Sequence, residues 1–251
     1  MGDYFDGARL KVDRAKHHIG ELNSILQHIS QSDFYRLVVK ENIHTGRNSL
    51  CLEFNAQLPS RTALVVGDAI HNLRAALDLA VWDSVLRTGE TPDDRLMFPF
   101  RKTRRDLEKA VKQILKKETT STIGQLIIDD IKPYPGGNDA LYALHSLDIY
   151  DKHKIIIPTL ATTLVSGVSA EGDKGTKFIN GTLEVREGRE LLAINTSENL
   201  KITNKGKANL DMFFGDPMPY KGQPIIPTLN QFLKLVSETV DKFQDLVNPP
   251  L

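Results

Sequence analysis

Apolar positions along the chain recur first at a helical period, then at a period of two, then at a helical period again. Leu10, Ile19, Leu22, Ile25, Leu26 and Ile29 repeat at three- and four-residue steps, which predicts an amphipathic helix near 9–31. Tyr35, Leu37 and Val39 then alternate, and Ser49 to Phe54 supplies a second apolar run. Asn42, His44, Gly46 and Asn48 between them are turn formers, so a β-hairpin is expected over 34–55. Pro59 and Ser60 open a helix near 60–87 that stops before Gly89 and Pro92. Its Ala63, Leu64, Ile70, Leu73, Ala76 and Leu77 cover more than one stripe, as expected of a central helix touched by several neighbours. Further helices are predicted near 103–117, 121–132, 139–157 and 228–247, with a short extended segment from Met97 to Phe100 held by Pro99.

Between Thr159 and Phe214 the period is two, and the runs are short and separated by Gly, Asn and Ser. Without room for crossover helices, they predict an antiparallel meander, which the earlier hairpin is able to join. A proline-rich turn through Pro217, Pro219, Pro224 and Pro227 leads to the last helix. The fold class expected is therefore α+β: a multi-helix core with an antiparallel sheet formed mainly by residues 162–214 and a hairpin at 34–55. A chain of 251 residues fills one hydrophobic core, so 1–251 is expected to be a single compact domain. Within it, 1–158 and 228–251 make the helical part with the hairpin, and 159–215 makes the sheet.

Charge narrows the partners. The chain has 32 basic and 32 acidic residues, leaving no global field to gather nucleic acid, which is not an expected partner. The cluster Arg101, Lys102, Arg104 and Arg105 is diluted by Asp106 and Glu108 and reads as a solvated helix start. Cys51 is the single cysteine, so no intrachain disulfide forms. The amino terminus carries Asp3, Asp6, Arg9 and Lys11 instead of an apolar secretion segment, and no uncharged apolar stretch is long enough to span a membrane. No membrane partner and a cytoplasmic location are the resulting expectations. A homo-oligomer stays open as an alternative to a monomer.

Two polar segments interrupt otherwise apolar helices. The central helix carries Asp68, His71, Asn72, Arg74 and Asp78, and the fifth helix carries His145, Asp148, Asp151, Lys152 and His153. At 3.6 residues per turn Asp68, His71 and Asp78 fall along one side, and Arg74 reaches Asp78 one turn later. Desolvating unpaired ions costs several kcal/mol, so the two segments are expected to face one another. One arrangement is structural, with Arg74 meeting Asp148 or Asp151 and His71 or His153 donating to a carboxylate.

The same atoms support a catalytic arrangement. A histidine would act as general base, a carboxylate would orient it, and Arg74 or Lys152 would hold an anionic substrate oxygen, as in a hydrolase or phosphodiesterase. A non-enzymatic interaction module is the third alternative. The cofactor is left open: Asp68 with His71, and His145 with Asp148, pair metal-binding residue types one turn apart, but no established metal motif accompanies them. His17, His18 and His28 lie on a polar helix and are expected to be exposed.

These segments resemble a family of uncharacterised bacterial proteins that share Gly67-Asp68-x-x-His71-Asn72-Leu73-Arg74-x-Ala76-Leu77-Asp78 and, later, Asp148-x-x-Asp151-Lys152-His153-Lys154. The likeness spans mainly residues 60 to 158, and that family often has arginine where this chain has Lys154. It singles out the two segments without implying an activity. Helical ribonuclease domains of toxin and phage-defence systems are also small bundles with polar helix centres, but their hallmark is arginine followed after four to six residues by histidine. Here Arg74 is followed by Asp78 and Leu79, so nothing carries over residue by residue.

Overall fold

A computed structural model describes residues 4–42, 46–55, 57–185, 190–215 and 220–247. Among these the architecture is α+β, with helices α1 (Asp6–Gln31), α2 (Arg61–Arg87), α3 (Arg104–Ile114), α4 (Ser121–Gln125), α5 (Asp139–His153) and α6 (Ile225–Val247). The strands are β1 (Tyr35–Asn42), β2 (Arg47–Phe54), β3 (Pro158–Gly172), β4 (Lys177–Glu184), β5 (Glu190–Thr196) and β6 (Leu200–Phe214). His44 of the expected hairpin turn and the Pro217 and Pro219 part of the proline-rich turn lie outside the described residues. No described helix is long and apolar enough to cross a membrane. The chain divides into two compact units, the first comprising Met1–Leu22, Ser60–Ile157 and Phe214–Leu251, the second Asn23–Pro59 and Pro158–Phe213.

The first unit is helical. α2 is its centre because Leu73, Ala76, Leu77, Ala80 and Val81 are all fully buried, and it packs on α5 and α6. α6 starts with Pro227 in its first turn, where a missing N–H costs nothing, and it buries Leu229, Phe232, Val236, Val240 and Phe243 at three- and four-residue spacing. The Asn138 side chain caps α5 by accepting from the Leu141 N–H at 3.0 Å. α5 ends at His153, four residues before the sequence pattern predicts, since Lys154 is already extended (φ −150°, ψ 134°). Three β-branched residues, Ile155 to Ile157, directly before Pro158 favour that extended path. The helix expected at 121–132 is α4 continued by one π-helical turn, Leu126–Ile131, which ends where Lys132 turns left-handed at φ 55°.

Between α2 and α3, residues Leu96 to Phe100 form no regular element, yet Leu96, Phe98 and Phe100 are buried. Phe98 packs edge-on against Phe243 of α6, with ring centroids 6.2 Å apart, and tilts against Phe100 at 4.9 Å. A buried segment outside helix and sheet must find partners for its backbone groups elsewhere.

The second unit contains the sheets. β1 and β2 form the expected antiparallel hairpin, in register from Tyr35 opposite Phe54 to Asn42 opposite Arg47. The expectation of one meander is corrected. Two three-stranded sheets form among the described residues, in the orders β1-β2-β5 and β4-β3-β6. β5 leaves its sequence neighbour β4 to pair antiparallel with β2, Asn48 opposite Thr196, because the hairpin offers β2 as an open edge. β6 is one continuous fifteen-residue strand, longer than the short runs expected between Thr159 and Phe214. Its Gly206, at φ 68°, lies so close to β3 that a Cβ would sit 3.0 Å from Val168 N, and its carbonyl accepts from Tyr35 Oη at 2.5 Å.

Candidate functional site

α2 and α5 bring the two polar segments together within the first unit, and Gly67 is the close approach that permits it. A Cβ at Gly67 would lie 2.8 Å from Asp151 Oδ1, so the Asp151 carboxylate rests directly on the α2 backbone. Burial, with Asp148 and Asp68 nearby, pushes the Asp151 carboxyl above the ordinary aspartate value, against a stabilising hydrogen bond from the Ile156 N–H.

The charged groups then separate into two sets. The first surrounds Asp148, whose side chain is only 3% exposed. Its Oδ1 lies 3.1 Å from His71 Nδ1, and its Oδ2 accepts from Lys152 Nζ at 2.6 Å, one turn later on α5. Both partners reach solvent: the His71 side chain is 55% exposed and that of Lys152 53%. A carboxylate only accepts, so Nδ1 carries the proton in this contact and Nε2 is the basic nitrogen. Asp68 is exposed one turn before His71, and the Asn72 side chain donates to the Asp68 carbonyl at 2.7 Å.

The second set is turned inward. Arg74, 7% exposed, does not meet Asp148 or Asp151 as the structural reading expected. It places Nη1 2.6 Å from Asp78 Oδ1, out of line for a hydrogen bond, and donates from Nη2 to the Phe98 carbonyl at 3.3 Å. Asp78 Oδ1 accepts from the Phe98 N–H at 2.7 Å. The two opposite charges thus take the two backbone groups of one buried loop residue. The Arg74 guanidinium also sits 4.8 Å from the centroid of the Phe100 ring, on which His145 stacks at 4.4 Å and an interplanar angle of 3°. Burial, then the Arg74 charge, lower the His145 pKa to about 4. His145 Nδ1 is buried without a hydrogen-bond partner among the described residues.

The geometry therefore joins His71, Asp148 and Lys152, joins Arg74, Asp78 and the backbone of Phe98, and places His145 beside both sets. His153, the last residue of α5, is exposed and belongs to neither. No group of three or more His, Cys, Asp or Glu is arranged to hold a metal among the described residues.

Two participants escaped the sequence reading. Phe98 gave no polar signal, because its backbone, not its side chain, is what the ions hold. His18 was expected on the wet face of α1 but is 5% exposed. It lies three residues after buried Ala15 and four before buried Leu22, so helical phase alone places it inward. Burial lowers its pKa, while Asp68 opposes that shift and so lies near it.

Compared with family models, curated proteins and solved structures, the chain matches none of them.

Proposed function

We propose that the protein is an acid–base catalyst that hydrolyses an anionic ester, with a phosphodiester as the substrate class its charges suit best. The observation that carries this is the asymmetry of one contact: a solvent-facing histidine bonded through Nδ1 to a carboxylate that is 3% exposed. A buried carboxylate fixes tautomer and ring orientation, leaving Nε2 to exchange protons at the surface. His71 Nε2 takes a proton from water as the water oxygen bonds to phosphorus. The ester P–O bond breaks, and the departing oxygen receives that proton from His71. Lys152 spends one N–H on Asp148 and has two further donors for a non-bridging phosphate oxygen. Asp148 touches no reacting atom in this scheme and is a positioning residue.

The two segments supplying these side chains are the two that carry the resemblance to the bacterial family, and we propose that the same trio underlies that likeness. Arg74, considered beside Lys152 for anion binding, is already committed to Asp78 and Phe98, so Lys152 takes that role.

The test is turnover of bis(p-nitrophenyl) phosphate and of single-stranded RNA by wild type and His71→Gln, each shown to be folded by circular dichroism. The expected result is measurable wild-type turnover that falls about 100-fold or more in the variant. No turnover of either substrate, or equal turnover in both proteins, overturns the reading.

A further inference from the structure

Away from His71, the first unit has a cleft of about 410 Å³ between the residues that follow α2 and the carboxyl end of α3. That volume falls within the range of small-molecule sites. Its floor is apolar: Val85, Pro92, Leu96 and Leu115 are buried, and Ile114 is half-buried. Five charged residues stand around it, Glu90, Asp93, Arg95, Lys116 and Lys117. Four are committed to one another. Arg95 binds Asp93 with Nε at 3.0 Å and Nη2 at 2.9 Å, and Lys117 pairs with Glu90, which also accepts from Thr119 Oγ1 at 3.0 Å. Lys116, exposed, makes no direct ion pair among the described residues, although its charge is felt by Asp93, which Arg95 already holds.

The polarity of the floor sets the orientation of a ligand. α2 and α3 both end at the cleft, so their negative dipole ends oppose an anion placed deep inside. An anionic head is favoured only beside Lys116, whose charge offsets the nearby end of α3; Gln113 also lines the cleft. One cation without a direct ion pair matches one negative charge. A dianionic phosphate monoester would add charge facing Glu90 and Asp93, whereas a carboxylate neutralises Lys116 and leaves its hydrocarbon on Leu96 and Ile114.

We infer that this cleft is a binding site for an aliphatic carboxylate of medium chain length, with its head on Lys116 and its tail on the apolar floor. The inference does not rest on the role of His71. Calorimetric titration of the full chain with octanoate, and with 1-octanol as the uncharged probe, tests it. Octanoate is expected to bind saturably with a Kd below about 1 mM. Lys116→Glu should weaken octanoate about fivefold or more, the scale of reversing one exposed charge contact, and leave octanol unchanged. Ile114→Trp, which fills the floor from a half-exposed position, should weaken both probes. Absence of saturable octanoate binding, unchanged octanoate affinity in Lys116→Glu, or unchanged affinities in a folded Ile114→Trp each overturns the assignment. Should Ile114→Trp not fold, the charge reversal at exposed Lys116 decides alone.

Discussion

His71 and Asp148 meet at 3.1 Å across two helices, one end of the contact wet and the other dry. Arg74 and Asp78 meet at 2.6 Å on a single helix, with the arginine dry and the Asp78 side chain 31% exposed. The difference decides what each pair does. Loss of His71 leaves Asp148 still paired with Lys152, whose charge is already half hydrated. Loss of Arg74 leaves Asp78 without its cation and the Phe98 carbonyl without a donor in a buried loop. The former contact is free to serve chemistry, and the latter holds the fold.

Urea unfolding separates the two. Arg74→Ala is expected to cost about 3 kcal/mol, at the lower end for a broken buried pair because Asp78 stays partly wet. Arg74→Lys keeps the charge but loses the fork that reaches both Asp78 and Phe98, and should fall between the two. His71→Gln should lie within about 0.5 kcal/mol of wild type, as for a surface substitution. Similar midpoints for Arg74→Ala and wild type would contradict the structural role given to this ion pair.

The apolar periodicity made the helices and the hairpin legible, since Leu73, Leu77, Phe232 and Val236 are buried as their spacing requires. That α2 and α5 would face one another followed from the cost of isolated charges among their apolar residues. That Arg74 reaches Asp78 one turn later was legible in the spacing, but that this pair would take Arg74 away from Asp148 and Asp151 was not. The choice depends on a third party, the Leu96–Phe100 loop, whose backbone needs are invisible in side-chain patterns. Pairing β5 with β2 was hidden for a related reason: strand runs state which residues alternate, not which edge is open when they arrive. The inward turn of His18 was legible from its phase with Ala15 and Leu22, and polarity outweighed phase wrongly there.

His145 makes the protein acid-sensitive. Its folded pKa of about 4 lies below the ordinary 6.5, so between these values the unfolded chain binds the proton more readily. The neutral imidazole's share of stability is therefore complete above about pH 6.5 and is lost as pH falls towards 4. His145→Phe keeps a ring to stack on Phe100 and cannot protonate. Its urea midpoint is expected to decline less than that of wild type over this window, and parallel declines would show that His145 does not titrate with folding.

The orientation of His71 carries the functional account, and nitrogen-15 NMR of the neutral imidazole reads it without any substrate. In wild type the His71 proton is expected on Nδ1, the nitrogen held at 3.1 Å by Asp148, and Asp148→Ala should release that preference. A His71 imidazole protonated on Nε2 in wild type, or a tautomer balance indifferent to Asp148→Ala, would contradict the account at its root.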